Sequence, residues 1–257
     1  MAPPRTYRTE GLVLKKVPFG EADLMLTLYT REAGKLRAVA KGARRSRSKL
    51  VGHFEPLTLT GLSLARGRNL DIVTQAQAVE NFAQIKSNLR ALSKGLYVAE
   101  LVEGFGSEEH PNLALYELTL ETLEAIGQDP DRDLPLRYFE LRLLQASGFM
   151  PELYQCVECQ KPLIPERHRF SPNGGGALCL DCAPADITVR PLSLRALKVL
   201  RLLHRSRLAE LPRLQMNQAL ENELKSLLAP TVEYWLDKEI RSNLFLEHLE
   251  GWLKAKV

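Results

Sequence analysis

Leu24-Met-Leu-Thr-Leu-Tyr-Thr30 and Gly34-Lys-Leu-Arg-Ala-Val-Ala40 are the runs that decide the fold. In the first, Leu24, Leu26 and Leu28 recur at every second residue, the period of a strand with one face buried. Arg31 to Gly34 is a short turn with a glycine available for positive φ, so Lys35 to Ala40 folds back as the other arm of an antiparallel hairpin. Outward from this hairpin, Tyr7 to Lys15 reads as a preceding strand. Leu57 to Leu64 reads as a fourth, in which the leucine register shifts across Gly61 and predicts a bulge or barrel corner. Arg66-Gly-Arg-Asn69 then turns the chain into a fifth stretch, Leu70 to Val79. Five short strands ahead of Phe82 suit a small barrel of the OB type.

Beyond Phe82 the apolar period lengthens. Leu89, Leu92, Leu96, Ala99 and Val102 share one helical face. Leu115 to Ile126 and Leu136 to Ala146 repeat the pattern, and Gln128-Asp-Pro-Asp-Arg-Asp133 between them is a turn by composition, which predicts a helical hairpin. Ser193 is an N-cap candidate ahead of Leu194, Leu197, Leu200 and Leu203. Two further helices are expected over roughly 216–228 and 231–253. The fold class is therefore α+β, with an N-terminal OB-fold barrel over 1–82 and an α-helical domain over 83–257 that carries an inserted cysteine element at 152–186.

The formal net charge of +4 over 257 residues conceals an asymmetry. Residues 1–80 hold 14 Lys/Arg against 7 Asp/Glu, so the basic character belongs to the N-terminal third. From Lys35 to Lys49 there are seven basic residues and no acidic one: Lys35, Arg37, Lys41, Arg44, Arg45, Arg47 and Lys49. Cations among small Gly, Ala and Ser residues suit contact with a phosphate backbone, since main-chain amides can approach as well. Lys15, Lys16, Arg66 and Arg68 extend the patch; a solvated charged loop is the plainer account of the same residues. The barrel's aromatics are Tyr7, Phe19, Tyr29, Phe54 and Phe82, several of which its core requires. Phosphate contact with little sequence preference is therefore expected to dominate over base stacking.

Cys156-Val-Glu-Cys159 and Cys179-Leu-Asp-Cys182 are separated by 19 residues, the spacing of structural zinc sites. Each C-x2-C turn presents two thiolates, and two such turns complete a tetrahedral shell around one ion. Four thiolates leave no open position for substrate, so the expected zinc is structural. Buried free thiols, a redox pair or an iron–sulfur cluster are the alternatives. His168 reads as a surface histidine, since the cysteines already suffice. The Met1–Glu10 segment lacks the apolar core of a signal peptide and no apolar run is long enough to span a membrane, so a cytoplasmic protein is expected.

Gly11-Leu-Val-Leu-Lys15, Gly20-Glu-Ala-Asp-Leu24, Gly34-Lys-Leu-Arg-Ala-Val-Ala-Lys-Gly-Ala-Arg-Arg45 and Leu70-Asp-Ile-Val-Thr-Gln-Ala-Gln77 resemble the N-terminal domain of the RecO recombination mediator family. Leu136-Arg-Tyr-Phe-Glu-Leu-Arg-Leu-Leu144, then Gly148-Phe-Met-Pro151 and Cys156, is similar to that family's helix leading into its zinc knuckle. The resemblance implies a nucleoid-associated DNA repair and recombination protein that binds single- and double-stranded DNA and anneals complementary strands. It further implies partnership with RecR, and indirectly with RecA, on DNA coated by single-stranded-DNA-binding protein. The acidic tail of that coating protein would be gripped by the helical domain. Arg137, Phe139, Arg142 and Leu143 are the candidate residues for this, although their pattern also describes an ordinary amphipathic helix.

Three rival classes remain at this level: an enzyme, an RNA-binding factor and a pure protein adaptor, the last of which need not exclude DNA binding. An enzyme lacks support: there is no G-x4-G-K-[S/T] loop, Gly174-Gly-Gly176 falls inside the cysteine loop as a flexible turn, and Asp129, Asp131 and Asp133 fit a helix-capping turn better than a magnesium site. An RNA-binding factor of translation or transcription shares the small barrel and the zinc element.

Overall fold

The computed structural model describes residues 5–46, 48, 50–108, 110–182, 188–211, 214–238 and 240–242. The alternating N-terminal sequence forms β1 (Thr6–Phe19), β2 (Asp23–Thr30), β3 (Gly34–Ala40), β4 (Leu59–Ala65) and β5 (Asp71–Glu80). Their hydrogen-bonded order is β1-β2-β3-β5-β4, and β1 also pairs with β4, which closes a barrel. The β3–β5 seam is parallel and pairs Ala38 with Asp71 and Val39 with Ile72. Leu24, Leu26, Leu28, Ala38, Ala40, Leu62, Leu64 and Val73 point inward with Phe54, so the period-two leucines fill the barrel as expected.

Two details differ from the sequence reading. The fourth strand begins at Leu59, because buried Leu57 takes a left-handed conformation with φ 58°. Its N–H donates to the carbonyl of Val13, where β1 shifts register between Val13 and Lys15. Gly61 itself pairs regularly with Glu10 and Gln77. The β4–β5 irregularities flank it, between Leu59 and Thr60 and between Ser63 and Leu64.

The chain divides into two compact units, residues 1–130 with 240–257 and residues 131–239. In the first, α1 (Ala83–Ser87), α2 (Leu89–Phe105) and α3 (Leu113–Gln128) follow the barrel, and α2 packs on β1, β2, α1 and α3. Asn88 and Asn112 cap α2 and α3 by accepting from backbone N–H groups of the first turn. Tyr116 of α3 donates to Glu10 of β1 at 3.0 Å. The returning chain is tied to this unit by Glu100, whose carboxylate accepts the backbone N–H groups of Arg241 and Ser242.

The second unit contains α4 (Leu134–Ala146), a small sheet of β6 (His168–Ser171), β7 (Gly176–Leu178) and β8 (Arg190–Leu192), then α5 (Leu194–Arg205) and α6 (Gln218–Leu236). The sheet order is β7-β6-β8. Ser193 caps α5 as predicted. Within the first unit α3 lies on α2, and within the second α4 lies on α5 and α6. The two helices expected on either side of Pro230 are one helix over the described residues. Leu224, Leu227, Leu228, Thr231 and Val232 are buried on both sides of the proline, so one apolar stripe continues through it and its packing outweighs the lost hydrogen bond. The remainder of the 231–253 expectation lies outside the described residues.

Candidate nucleic-acid interface and metal centre

The candidate DNA-contacting cations among the described residues fall into two groups. Lys15 Nζ lies 3.5 Å from Glu103, Lys16 Nζ 2.6 Å from Glu55 and Arg37 2.9 Å from Glu108. Lys35 Nζ donates to the carbonyl of Glu103 at 2.9 Å. The register explains the first row: Lys15 pairs with Thr27 and Thr27 with Arg37, which brings both cations to the same outer face. Lys16 faces Glu55 ahead of β4, whereas Lys15, Lys35 and Arg37 face α2 and the segment after it. Gly34 makes that approach possible, with φ +66° and a position where a Cβ would stand 2.5 Å from the His110 carbonyl oxygen.

The second group has no ion pair to a carboxylate among the described residues: Lys41, Arg44, Arg45, Arg66 and Arg68, all exposed. Lys41, Arg44 and Arg45 sit on the loop after β3, held against the β1–β2 turn. The Arg44 N–H donates to the Ala22 carbonyl at 2.8 Å, and the Gly42 N–H donates to Asp23 Oδ1 at 2.7 Å. The Arg44 guanidinium adds a 3.3 Å bond to the Glu21 carbonyl, and Ala43 between these anchors is 1% exposed. A buried alanine flanked by anchored backbone thus fixes the loop while its cations face solvent. Arg66 lies over the Tyr7 ring at 4.8 Å. Arg47 and Lys49 lie outside the described residues. Of the aromatics, Tyr29 and Phe54 are core and Phe19, at the end of β1, is exposed.

In the second unit the four cysteines converge. Their Sγ atoms all lie within 4.8 Å of one another. Cys156 to Cys182 and Cys159 to Cys179 are each 3.8 Å apart. A tetrahedron with metal–sulfur bonds of about 2.3 Å has edges of about 3.8 Å, so the arrangement fits a zinc ion. The first knuckle is shaped by the Cys156 N–H donating to the Lys161 carbonyl and the Gln160 N–H donating to the Cys156 carbonyl, with Gln160 at φ 59°. Burial acts to raise the Cys156 thiol, but N–H groups at Cys159, Cys179 and Glu158 outweigh it and bring it down to about 6, which favours the thiolate a metal needs.

Arg169 of β6, which no sequence pattern singles out, holds the second knuckle. Its guanidinium donates to the carbonyls of Cys179 at 3.1 Å, of Leu180 at 2.8 Å and of Cys182. Gly176 is the other requirement: a Cβ there would stand 2.4 Å from the Glu152 carbonyl oxygen, so the expected flexible turn ends in a close backbone contact. His168 is 3% exposed with Nε2 paired to the Ile164 carbonyl at 2.8 Å, which corrects its reading as a surface residue; its strand position turns it inward.

The candidate partner residues are also placed differently from the expectation. Arg137, Phe139 and Leu143 are 3%, 0% and 0% exposed. Arg137 pairs with Glu140 at 2.8 Å. Arg142 donates to the His204 carbonyl at 2.8 Å and lies over the Tyr138 ring. Three of the four are core residues in a helix buried on nearly every side, which matches neither an exposed partner site nor an ordinary amphipathic helix. Among the described residues no helix is long and apolar enough to cross a membrane.

Comparison with known proteins agrees with this architecture. The family model for recombination protein O N terminal matches residues 1–82, and that for recombination protein O C terminal matches residues 86–244. A DNA repair protein RecO from Roseiflexus sp. is 40% identical over 251 residues, covering 98% of this chain and 88% of that protein. Those of Desulforudis audaxviator and Dehalococcoides mccartyi are 38% and 35% identical, each match covering 98% of the relative and 95% and 97% of this chain. The chain belongs to the RecO family of DNA repair proteins.

Proposed function

We propose that this protein is a non-enzymatic recombination mediator whose barrel unit holds the phosphate backbone of DNA and leaves the bases free to pair. The observation that supports this most directly is the anchored loop after β3, which presents Lys41, Arg44 and Arg45 without a carboxylate partner among the described residues. Arg47 and Lys49 continue the same basic run, and Arg66 and Arg68 extend it. Lys15, Lys16, Lys35 and Arg37 join as secondary contacts, since exposed ion pairs are weak enough for a phosphate to displace them. In this reading 1–82 is the DNA-binding domain and 83–257 the body that carries the metal. The protein anneals complementary strands and, with RecR, assists loading of RecA on DNA coated by single-stranded-DNA-binding protein.

The metal is zinc, held by Cys156, Cys159, Cys179 and Cys182 as a structural ion. All four cysteines belong to the shell, so the ion organises the fold and activates no water. Elemental measurement on the purified chain is expected to give one zinc per molecule; iron in its place would reject this assignment.

The test of DNA binding is a salt titration with single-stranded DNA. If all seven cations from Lys35 to Lys49 meet phosphates, log K falls with log salt at a slope of about −5, at roughly −0.7 per contact. The pair Arg44→Glu and Arg45→Glu is expected to flatten that slope by about 1.4 and slow annealing, with the fold unchanged by circular dichroism. Annealing at the original rate in moderate salt would reject the loop as the binding face. Competition with RNA of equal length separates this role from that of an RNA-binding factor.

A further inference from the structure

On the proposed annealing role, on which this inference rests, two polyanionic strands are brought together, and a single cationic face per chain accounts for only one of them. From Arg190 to Arg207 the sequence holds six Lys/Arg residues and no Asp or Glu, a run comparable to the one on the barrel. In the structure α5 separates its residues cleanly: Ala196, Leu197, Val199, Leu200 and Leu203 are buried. Arg195, Lys198 and Arg205 are exposed, and Arg201 and Leu202 are half-buried. At about 100° per residue, these last five positions fall within one arc of about 120°.

No carboxylate forms an ion pair with Arg195, Lys198, Arg201 or Arg205 among the described residues. Arg201 is held in place, with Nε donating to the Leu153 carbonyl at 2.9 Å and its guanidinium 4.9 Å from the Tyr154 ring. Arg205 Nε donates to the Arg201 carbonyl at 3.2 Å. Each guanidinium carries five N–H donors, so one fixed bond orients the side chain and leaves the others for an external acceptor. Steps of three or four residues along a helix space the cations by about 4.5–6 Å, a ladder suited to successive phosphates. The surroundings are electropositive as well: burial first, then the cations of Arg142 and Arg205, hold His204 below its ordinary pKa.

We infer that the outer face of α5, in the second unit, is a second DNA-backbone surface that serves the second strand. An acidic protein segment would meet the same charges, but four cations with Leu202 and the Tyr154 ring against Arg201 as the apolar groups beside them fit a uniform polyanion better than a peptide that must also bury side chains.

The test counts short fluorescent oligonucleotides bound per full-length chain at low salt, for the unmodified protein, for Lys198→Glu with Arg205→Glu, and for Arg44→Glu with Arg45→Glu. Two sites are expected for the unmodified protein and one for either double variant, with annealing slowed in both. Metal content and circular dichroism should match the unmodified protein; where the reversals disturb folding, Lys198→Gln with Arg205→Gln replaces them, and it should flatten the salt slope of the weaker site by about 1.4. Two sites and unchanged annealing in the α5 variant overturn the inference. So does loss of an acidic peptide's binding with DNA stoichiometry intact. If only the Arg44 and Arg45 variant keeps both sites, the barrel reading fails and α5 stands.

Discussion

The barrel and the cysteine lobe solve the same problem, holding short strands together, by opposite means. The barrel encloses a core of leucines, alanines and Phe54, and each of its strands pairs with two others. The lobe has a three-stranded sheet with strands of three or four residues, and its loops are shaped by the four thiols, one arginine and one glycine. The first can stand on apolar burial; the second has less of it and relies on directed polar contacts and on the metal proposed for its four thiols.

Removing the metal should break this comparison most visibly. Cys156→Ser, or treatment of the native protein with a strong chelator, is expected to unfold the lobe, because a structural zinc contributes on the order of 10 kcal/mol to such elements. Hydrogen exchange should then rise over 152–192 while the strands of the barrel stay protected. Equal loss of protection in both would end the distinction.

Next in size come two glycines, one in each region. Gly176→Ala drives a Cβ against the Glu152 backbone, and Gly34→Ala adds one both to a φ of +66° and to a position against the His110 carbonyl. Each should cost at least about 1–3 kcal/mol by thermal or denaturant unfolding. The lobe variant should also weaken metal retention, and the barrel variant should leave it unchanged. Arg169→Ala removes the guanidinium that serves three knuckle carbonyls and is expected to cost about 1.5–3 kcal/mol, read as faster zinc transfer to a competing chelator. Arg169→Lys should recover part of it. The smallest effect belongs to Glu103→Gln, which breaks an exposed pair with Lys15 and should change stability by less than about 1 kcal/mol while slightly raising affinity for DNA.

What was legible in the sequence follows the same division. Period-two leucines located the barrel strands to within a few residues, because alternation is imposed wherever one face of a strand is buried. The cysteine spacing located the four-thiol cluster, since two tight turns leave few other uses for such a pattern. Arg169 was not legible: its partners are carbonyls, which every residue possesses, so no side-chain pattern marks them. The burial of Arg137 beside Glu140 was equally hidden, because an arginine in an apolar helix reads as a surface charge until its partner one turn away is seen to be buried with it. Pro230 misled for a related reason, since its local cost is visible in sequence and the packing that offsets it is not. The separation of barrel cations into those facing Glu103 and Glu108 and those facing solvent depends on residues some 70 positions away.

The pairing of β1 with β4 as well as β2 has a consequence in time. β1, β2 and β3 are joined by short turns and can associate as soon as they leave the ribosome. The ring itself cannot close until Glu80 has emerged, because β5 is the strand that joins β3 to β4. During synthesis of the intervening residues, the growing chain therefore carries a three-stranded meander with two unsatisfied edges, and it carries them while the basic loop after β3 is being extruded. Its nascent form is one that a chaperone, or a stretch of nucleic acid, would meet before the finished barrel exists.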